Sequence, residues 1–310
     1  MQLIKIIFTA TLITLQAFGQ NAAFESVDLK ISDFVEGTLM QPADGSEVPL
    51  LILIQGSGPT DRDGNQPNVV NNSLKMIADG LSEAGIATFR YDKRFVPMLR
   101  DGVFNEAEMS FNDFVGDAKT TLAYFKEKGG FSGYFIAGHS QGSLVSMLAA
   151  QEGVDGYISL AGPGQPIDNV LVDQLGKQLP ALGEQARLAF DELRETGKVE
   201  EYSPTLAALL KPTIQPFMLS WIVYDPKEEI AKLDCPVLII NGDNDLQIAV
   251  SEAEFLKEGQ PEAAYEIIPG MNHVLKTVEG DLMANYQTYN DPELPLSPEL
   301  LPLIIDFIKM

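Results

Sequence analysis

Gly138-His139-Ser140-Gln141-Gly142 spells G-x-S-x-G directly after the apolar run Tyr134-Phe135-Ile136-Ala137. A serine hydroxyl attacks a carbonyl only when a base takes its proton. A sharp strand-to-helix turn that lifts the side chain clear of a sheet offers it to base and substrate together. Such a turn brings the positions two residues either side too close to backbone for side chains, and Gly138 and Gly142 meet that need. Leu144, Val145, Met147, Leu148 and Ala149 then recur at helical spacing, which supplies the helix after the turn. Ser140 is therefore the expected nucleophile of an acyl transfer.

The base is expected to be a histidine, whose pKa lies near the working pH, and the chain contains two. His139 is adjacent to the serine, so its side chain should point away from it. His273 remains, in Pro269-Gly270-Met271-Asn272-His273, a loop just past the last strand-like segment. A buried carboxylate must fix the imidazole tautomer and stabilise the imidazolium. The apolar segment Pro236 to Asn241 runs into Gly242-Asp243-Asn244-Asp245, which offers two. Asp245 is favoured over Asp243 because the first position of such a turn more often closes it through its own backbone. The developing oxyanion needs two backbone N–H donors. Gln141, following the serine, should give one, and the loop Gln55-Gly56-Ser57-Gly58-Pro59 the other, from Ser57 with Gly58 as the alternative.

Competing chemistry finds less support. Gly56-x-Gly58 lacks the third glycine of a phosphate cradle and is followed by Pro59, which has no N–H to donate. With one cysteine and two histidines, a metal would need the carboxylates of Asp61-Arg62-Asp63-Gly64-Asn65. That run resembles a calcium loop only in part, lacks the downstream glutamate and contains Arg62. It reads as an internally paired loop beside the site, and no metal or cofactor is expected.

These residues need a sheet to position them. Ser26 to Ile31 and Val35 to Met40 read as N-terminal strands, followed by the continuous apolar run Leu50 to Ile54. Ile86 to Phe89, Tyr134 to Ala137, Gly156 to Ala161, Pro236 to Asn241 and Tyr265 to Ile268 are further strands. Unbroken Leu/Ile/Val runs imply burial on both faces, as in a mostly parallel sheet covered by helices. Ser73 to Glu83 and Phe111 to Lys128 carry the helical period between strands, so a doubly wound sheet with an antiparallel N-terminal edge is expected. A final helix should be capped by Ser297, with Pro298 in its first turn. From about Gln165 to Lys232 the alternation stops in a helix-rich stretch holding the sole tryptophan, Trp221. It is expected to cap the pocket after the sixth strand. Phe217, Met218 and Trp221 are its candidates for substrate contact, with Leu209 and Ile222 beside them; the alternative is that they pack this stretch onto the body.

The chain has 310 residues, 45% of them apolar, enough for one large α/β domain. Its 21 basic and 44 acidic side chains give a net charge of −23, which repels nucleic acid and anionic lipid. Met1 to Gly19 carries Lys5, the apolar stretch Ile6 to Leu15 and the small residues Ala17 and Gly19. That pattern is expected to be a secretory signal peptide cut before Gln20, leaving 20–310 as the mature domain. No later segment reaches the roughly 18 to 20 apolar residues of a membrane span. Cys235 is the single cysteine and reads as a buried, inert thiol. The sequence leaves the oligomeric state open.

Taken with Gly37-Thr38-Leu39, the loop Gly56 to Asn65, Arg90-Tyr91-Asp92-Lys93-Arg94, Tyr224-Asp225-Pro226 and Gly242-x-x-Asp245, the elbow resembles the α/β-hydrolase superfamily. Within it, the chain is similar to a bacterial carboxylesterase branch near the serine aminopeptidase-like hydrolases. The likeness covers nearly the whole mature chain, and the order Ser140, Asp245, His273 fits it. It implies a cofactor-free esterase for short acyl esters with that triad. Relatives usually carry glycine after Asp-Lys-Arg where this chain has Phe95, which predicts a differently shaped loop near Val96-Pro97. An aminopeptidase would need carboxylates in the cap, for which Asp191, Glu192 and Glu195 are the candidates, although three acids on a helix are usually a solvated face. Acetyl or feruloyl polysaccharide esters are a further substrate class, and a non-catalytic binding protein on the same scaffold is the reading from another class.

Overall fold

The structure is a computed structural model that describes residues 23–310; the leader expected at Met1 to Gly19 lies outside the described residues. Eight strands form one sheet: β1 (Phe24–Lys30), β2 (Glu36–Pro42), β3 (Pro49–Ile54), β4 (Ala87–Tyr91), β5 (Gly133–His139), β6 (Gly156–Leu160), β7 (Val237–Gly242) and β8 (Ala264–Ile268). Their spatial order is β1-β2-β4-β3-β5-β6-β7-β8. β1 and β2 pair antiparallel and every later pairing among β3 to β8 is parallel, the expected arrangement.

The helices between the strands are α1 (Ser73–Glu83), α2 (Phe95–Arg100), α3 (Phe111–Lys128) and α4 (Gln141–Ala150). The insertion between β6 and β7 is helical, as expected, with α5 (Ile167–Gln178), α6 (Pro180–Thr196), α7 (Ala207–Leu210), α8 (Gln215–Ile222) and α9 (Pro226–Ile230). α10 (Val250–Gly259), α11 (Leu282–Thr288) and α12 (Leu300–Ile308) complete the chain. None of the described helices is long and apolar enough to cross a membrane.

The unbroken apolar strands have the burial they imply. On β3, Leu50, Ile52 and Ile54 face α3, α4 and the inserted helices, while Leu51 and Leu53 face α1 and α12. Each face thus has its own core, and the strand ends between them are held in one register. The C-terminal helix starts later than its sequence suggests. Ser297 does not cap it: its N–H goes to Leu275 O at 2.9 Å and its hydroxyl accepts from Thr277 Oγ1 at 2.9 Å. Helix α12 begins only at Leu300, because Ser297 is engaged with the loop that carries His273. Phe95 opens α2 and packs edge-on against Phe104 at 5.5 Å, so Val96 and Pro97 lie in a short helix. Cys235 is half-buried, and desolvation raises its thiol pKa.

Candidate active site

The turn between β5 and α4 has the strain its sequence requires. Ser140 sits at φ 55° and ψ −122°, a region sparsely populated by side-chain-bearing residues. A Cβ on Gly138 would lie 2.0 Å from Gly142 O, and one on Gly142 would lie 2.4 Å from Ile54 O. Only glycine fits at either place. All ten residues of α4 are buried, and Ser140 N–H bonds Leu160 O at 2.9 Å, so packing on both sides holds the turn in its unfavourable conformation.

His273 and Asp245 come from loops at the same end of the sheet. His273 Nδ1 lies 2.8 Å from Asp245 Oδ2. The Asp245 side chain is fully covered, and its other oxygen accepts the backbone N–H groups of Gln247 at 2.7 Å and Ile248 at 2.8 Å. Both oxygens of that carboxylate are thereby engaged, which holds the side chain in one orientation toward His273. Asp243 does something else: it accepts Gly270 N–H at 2.6 Å and ties the end of β7 to the turn after β8. Asn272 holds the His273 loop from behind, its side chain donating to Asn285 Oδ1 at 3.1 Å and Thr288 Oγ1 at 2.6 Å.

Ser140, His273, Ser57 and Gly58 line one cavity of about 360 Å³. Ser140 Oγ and His273 are not hydrogen-bonded in this arrangement; in free enzymes that contact is often long and tightens with substrate. Gln141 is the first residue of α4, where an N–H has no intrahelical acceptor. Gln141 thus directly follows Ser140, and Ser57 lines the cavity that Ser140 lines.

His139, whose side chain is expected to point away from Ser140 into the sheet or the oxyanion side, reaches the backbone of His273 instead. Burial pushes its imidazole down to about 3, with the neighbouring His273 adding to the effect, so the ring is neutral. Its Nε2 lies 2.7 Å from His273 O, and since a carbonyl only accepts, that nitrogen carries the hydrogen. His139 therefore clamps the backbone of His273 while its own neighbour is the serine.

The cavity wall differs from expectation. Trp221 stacks on Phe111 at 5.3 Å with the rings 2° from parallel, Phe217 meets Phe114 at 5.8 Å, and Met218 is buried in the same cluster. None of the three lines the cavity. They pack α8 onto α3, the alternative that the sequence left open. The wall comes instead from Val69, Asn71, Ser73 and Leu74 before and within the start of α1, and from Gln247 and Tyr289 opposite. Among the described residues, the Tyr289 phenol is the titratable group that lines it besides His139 and His273.

The charged run at the end of β4 holds the loop after β3 and the neighbouring α3. Arg90 Nε bonds Asp63 Oδ1 at 2.9 Å; Asp92 takes Arg62 through two oxygens at 3.1 and 2.6 Å; Arg94 clasps Asp117 of α3 at 2.8 Å through each of two nitrogens. Asp61 Oδ1 accepts the N–H groups of Asp63 and Asn65, both at 2.9 Å. The Asp61 to Asn65 run is thus engaged with itself and with this charged segment.

No protein-family model matches the chain. It is 29% identical over 264 residues to Esterase EstD of Thermotoga maritima, covering 83% of this chain and 62% of that protein, so it spans less than two thirds of that relative's length. Among solved structures it is similar to Est1E from Butyrivibrio proteoclasticus, with a TM-score of 0.57, 18% identity and 92% and 99% of the two chains covered. Est1E has also been solved with ferulic acid bound. The alpha/beta hydrolase GrgF from Penicillium sp. sh18 matches with a TM-score of 0.56, 15% identity and coverages of 93% and 98%.

Proposed function

We propose that this chain, which has the α/β-hydrolase fold, is an exported serine carboxylesterase that hydrolyses short acyl esters without a cofactor. The observation that carries the reading is the His273–Asp245 pair, 2.8 Å apart, beside a cavity that Ser140 shares with His273. Ser140 Oγ attacks the ester carbonyl while His273 Nε2 takes its proton and passes it to the leaving alcohol. Water then deacylates the serine by the same route. Asp245, fixed by two backbone N–H groups, keeps the hydrogen on His273 Nδ1 and stabilises the imidazolium. The Gln141 and Ser57 N–H groups receive the oxyanion.

The esterase name of the relative supports the ester bond. A cavity of about 360 Å³ lies at the small end of ligand sites and supports a short acyl group. A peptide amine would need a carboxylate, yet Asp191 pairs with Arg187 at 2.9 Å and none of Asp191, Glu192 or Glu195 lines the cavity. A neutral substrate is therefore favoured over an aminoacyl peptide. The net charge of −23 also speaks against a polyanionic partner, and the leader pattern of Met1 to Gly19 is the ground for export.

The test is turnover of p-nitrophenyl acetate, butyrate and octanoate by the mature protein and by Ser140→Ala at equal folded concentration. A loss of about 10³-fold or more in the variant is expected, with rates falling as the acyl chain lengthens. Equal rates for the two proteins would remove Ser140 from the mechanism. Inertness toward esters together with cleavage of aminoacyl p-nitroanilides would replace the esterase with a peptidase.

A further inference from the structure

Lys93 stands between Asp92 and Arg94, and both of those neighbours have ion-pair partners. Lys93 has no carboxylate partner among the described residues, although it is only 4% exposed. Its amine donates to Gly56 O at 2.6 Å and to Gln141 Oε1, and lies 4.4 Å from the centre of the Phe114 ring. Its backbone N–H bonds Thr60 O at 3.1 Å, so main chain and side chain both grip the loop after β3.

The two acceptors share one property. The Gly56 carbonyl and the Ser57 N–H belong to the same peptide unit, which is trans. In a trans peptide the two groups point in opposite directions, so fixing the oxygen fixes the aim of the N–H. Gln141 supplies the other N–H flanking Ser140, and its side chain is what Lys93 holds. A primary amine has two hydrogens even when neutral, enough for both bonds. A methionine or leucine would fill the space against Phe114 without the cost of burying an amine. What an apolar residue cannot do is join the two loops.

We propose that Lys93 is a positioning residue for acyl transfer, its amine tying the loop after β3 to the start of α4 so that the Ser57 and Gln141 N–H groups converge on one oxyanion. The role rests on the esterase reading above. Arg90–Asp63 and Asp92–Arg62 anchor the outer part of the loop, and Lys93 anchors the end nearest Ser140. Because the oxyanion exists only in the transition state and its intermediate, the loss of this tie acts on kcat and leaves KM nearly alone.

The test compares wild type, Lys93→Met and Gln141→Met on p-nitrophenyl butyrate, with rates expressed per site titrated by a fluorophosphonate. The affinity of phenylboronic acid, which forms a tetrahedral adduct on an active serine, is measured alongside. Lys93→Met should lose about 10- to 100-fold in kcat per titrated site, less than the outright removal of a donor, with KM within about threefold. Phenylboronic acid should weaken by a similar factor. A merely structural role would lower the number of titratable sites and leave the rate per site unchanged, and that result overturns the proposal, as does a loss confined to KM. Gln141→Met cuts one end of the tie and should lose about tenfold in kcat per site, so an unchanged rate there overturns the proposal even where Lys93→Met does not fold. Wild type that takes up no fluorophosphonate and turns over no ester overturns the esterase reading and the Lys93 role together. An active wild type with an unaffected Lys93→Met overturns the Lys93 role alone.

Discussion

The Lys93 amine also makes a prediction about stability that does not depend on catalysis. Burial pushes it from the usual 10.5 down to about 7 in the folded protein. Below about pH 7 the folded and unfolded chains both hold the proton, and no slope arises. Between about 7 and 10.5 the unfolded chain keeps a proton that the folded protein has released, so stability rises with pH. Each pH unit in that window is worth about 1.4 kcal/mol, which sets a ceiling of about 3 kcal/mol gained between pH 7 and pH 9. The Gly56 and Gln141 oxygens and the face of Phe114 favour the charged form and hold the gain below that ceiling. Urea unfolding of wild type and Lys93→Met from pH 6 to pH 9 isolates the effect, since every other titrating group is common to both. Methionine leaves two oxygens without their donor at all pH values, which displaces the difference between the proteins without tilting it. The difference should widen with pH in favour of wild type. A difference constant to within about 0.5 kcal/mol across the range would refute the argument, because the amine would then be charged in the folded protein.

Asp245→Asn should lower kcat by about 10⁴-fold through the wrong His273 tautomer, whereas Asp243→Asn, which only weakens an acceptor for Gly270 N–H, should cost less than about tenfold; steady-state kinetics of the pair decide between the two carboxylates. Gly142→Ala places a methyl 2.4 Å from Ile54 O and should destabilise the fold by about 3 kcal/mol or more in urea unfolding, with loss of titratable serine in what remains folded. Trp221→Ala should cost about 3 to 5 kcal/mol of stability through its lost stack on Phe111, yet leave kcat/KM per titrated site within about threefold. Tyr289→Ala, on the cavity wall, should do the reverse: KM for p-nitrophenyl esters should shift while stability changes little.

The parts legible in the sequence were those that local physics dictates. Leu50 to Ile54 announces a strand buried on both faces because every residue in it is apolar, and the two cores divide its side chains alternately. Phe111 to Lys128 announces its helix by period, and Ser110 with Asp113 closes the capping box at its start. The elbow is legible because its strain restricts residue type at Gly138 and Gly142. The cavity wall was not, because Val69, Gln247 and Tyr289 are far apart in sequence and share no period. Apolar side chains in the insertion drew attention instead, but Phe217 and Trp221 answer the aromatic rings that α3 turns outward. Helix amphipathicity says that a face is covered and does not say by what. Ser297 misled for a related reason: it has the chemistry of a cap, but a long-range bond to the His273 loop engages it first.

The motif Arg90-Tyr91-Asp92-Lys93-Arg94 shows how such distant constraints can still be written in a short stretch. Four charged side chains within five positions leave one strand end for four destinations: Asp63, Arg62, the Gly56–Gln141 pair, and Asp117. Three of those destinations lie on the loop after β3 or the start of α4, the two pieces that flank Ser140. Backbone at φ 55° and ψ −122° is held only where its surroundings over-determine it, at a cost of about 1 to 3 kcal/mol. The packing of α4 fixes the serine from below, but the loop after β3 has no helix of its own until Ser73 and must be fixed by polar bonds from its neighbour strand. That asymmetry explains why the charges sit at the end of β4 and just past it. A substitution there should disturb the oxyanion side of the site before it disturbs the His273–Asp245 side, which is held separately by Gln247, Ile248 and Asn272.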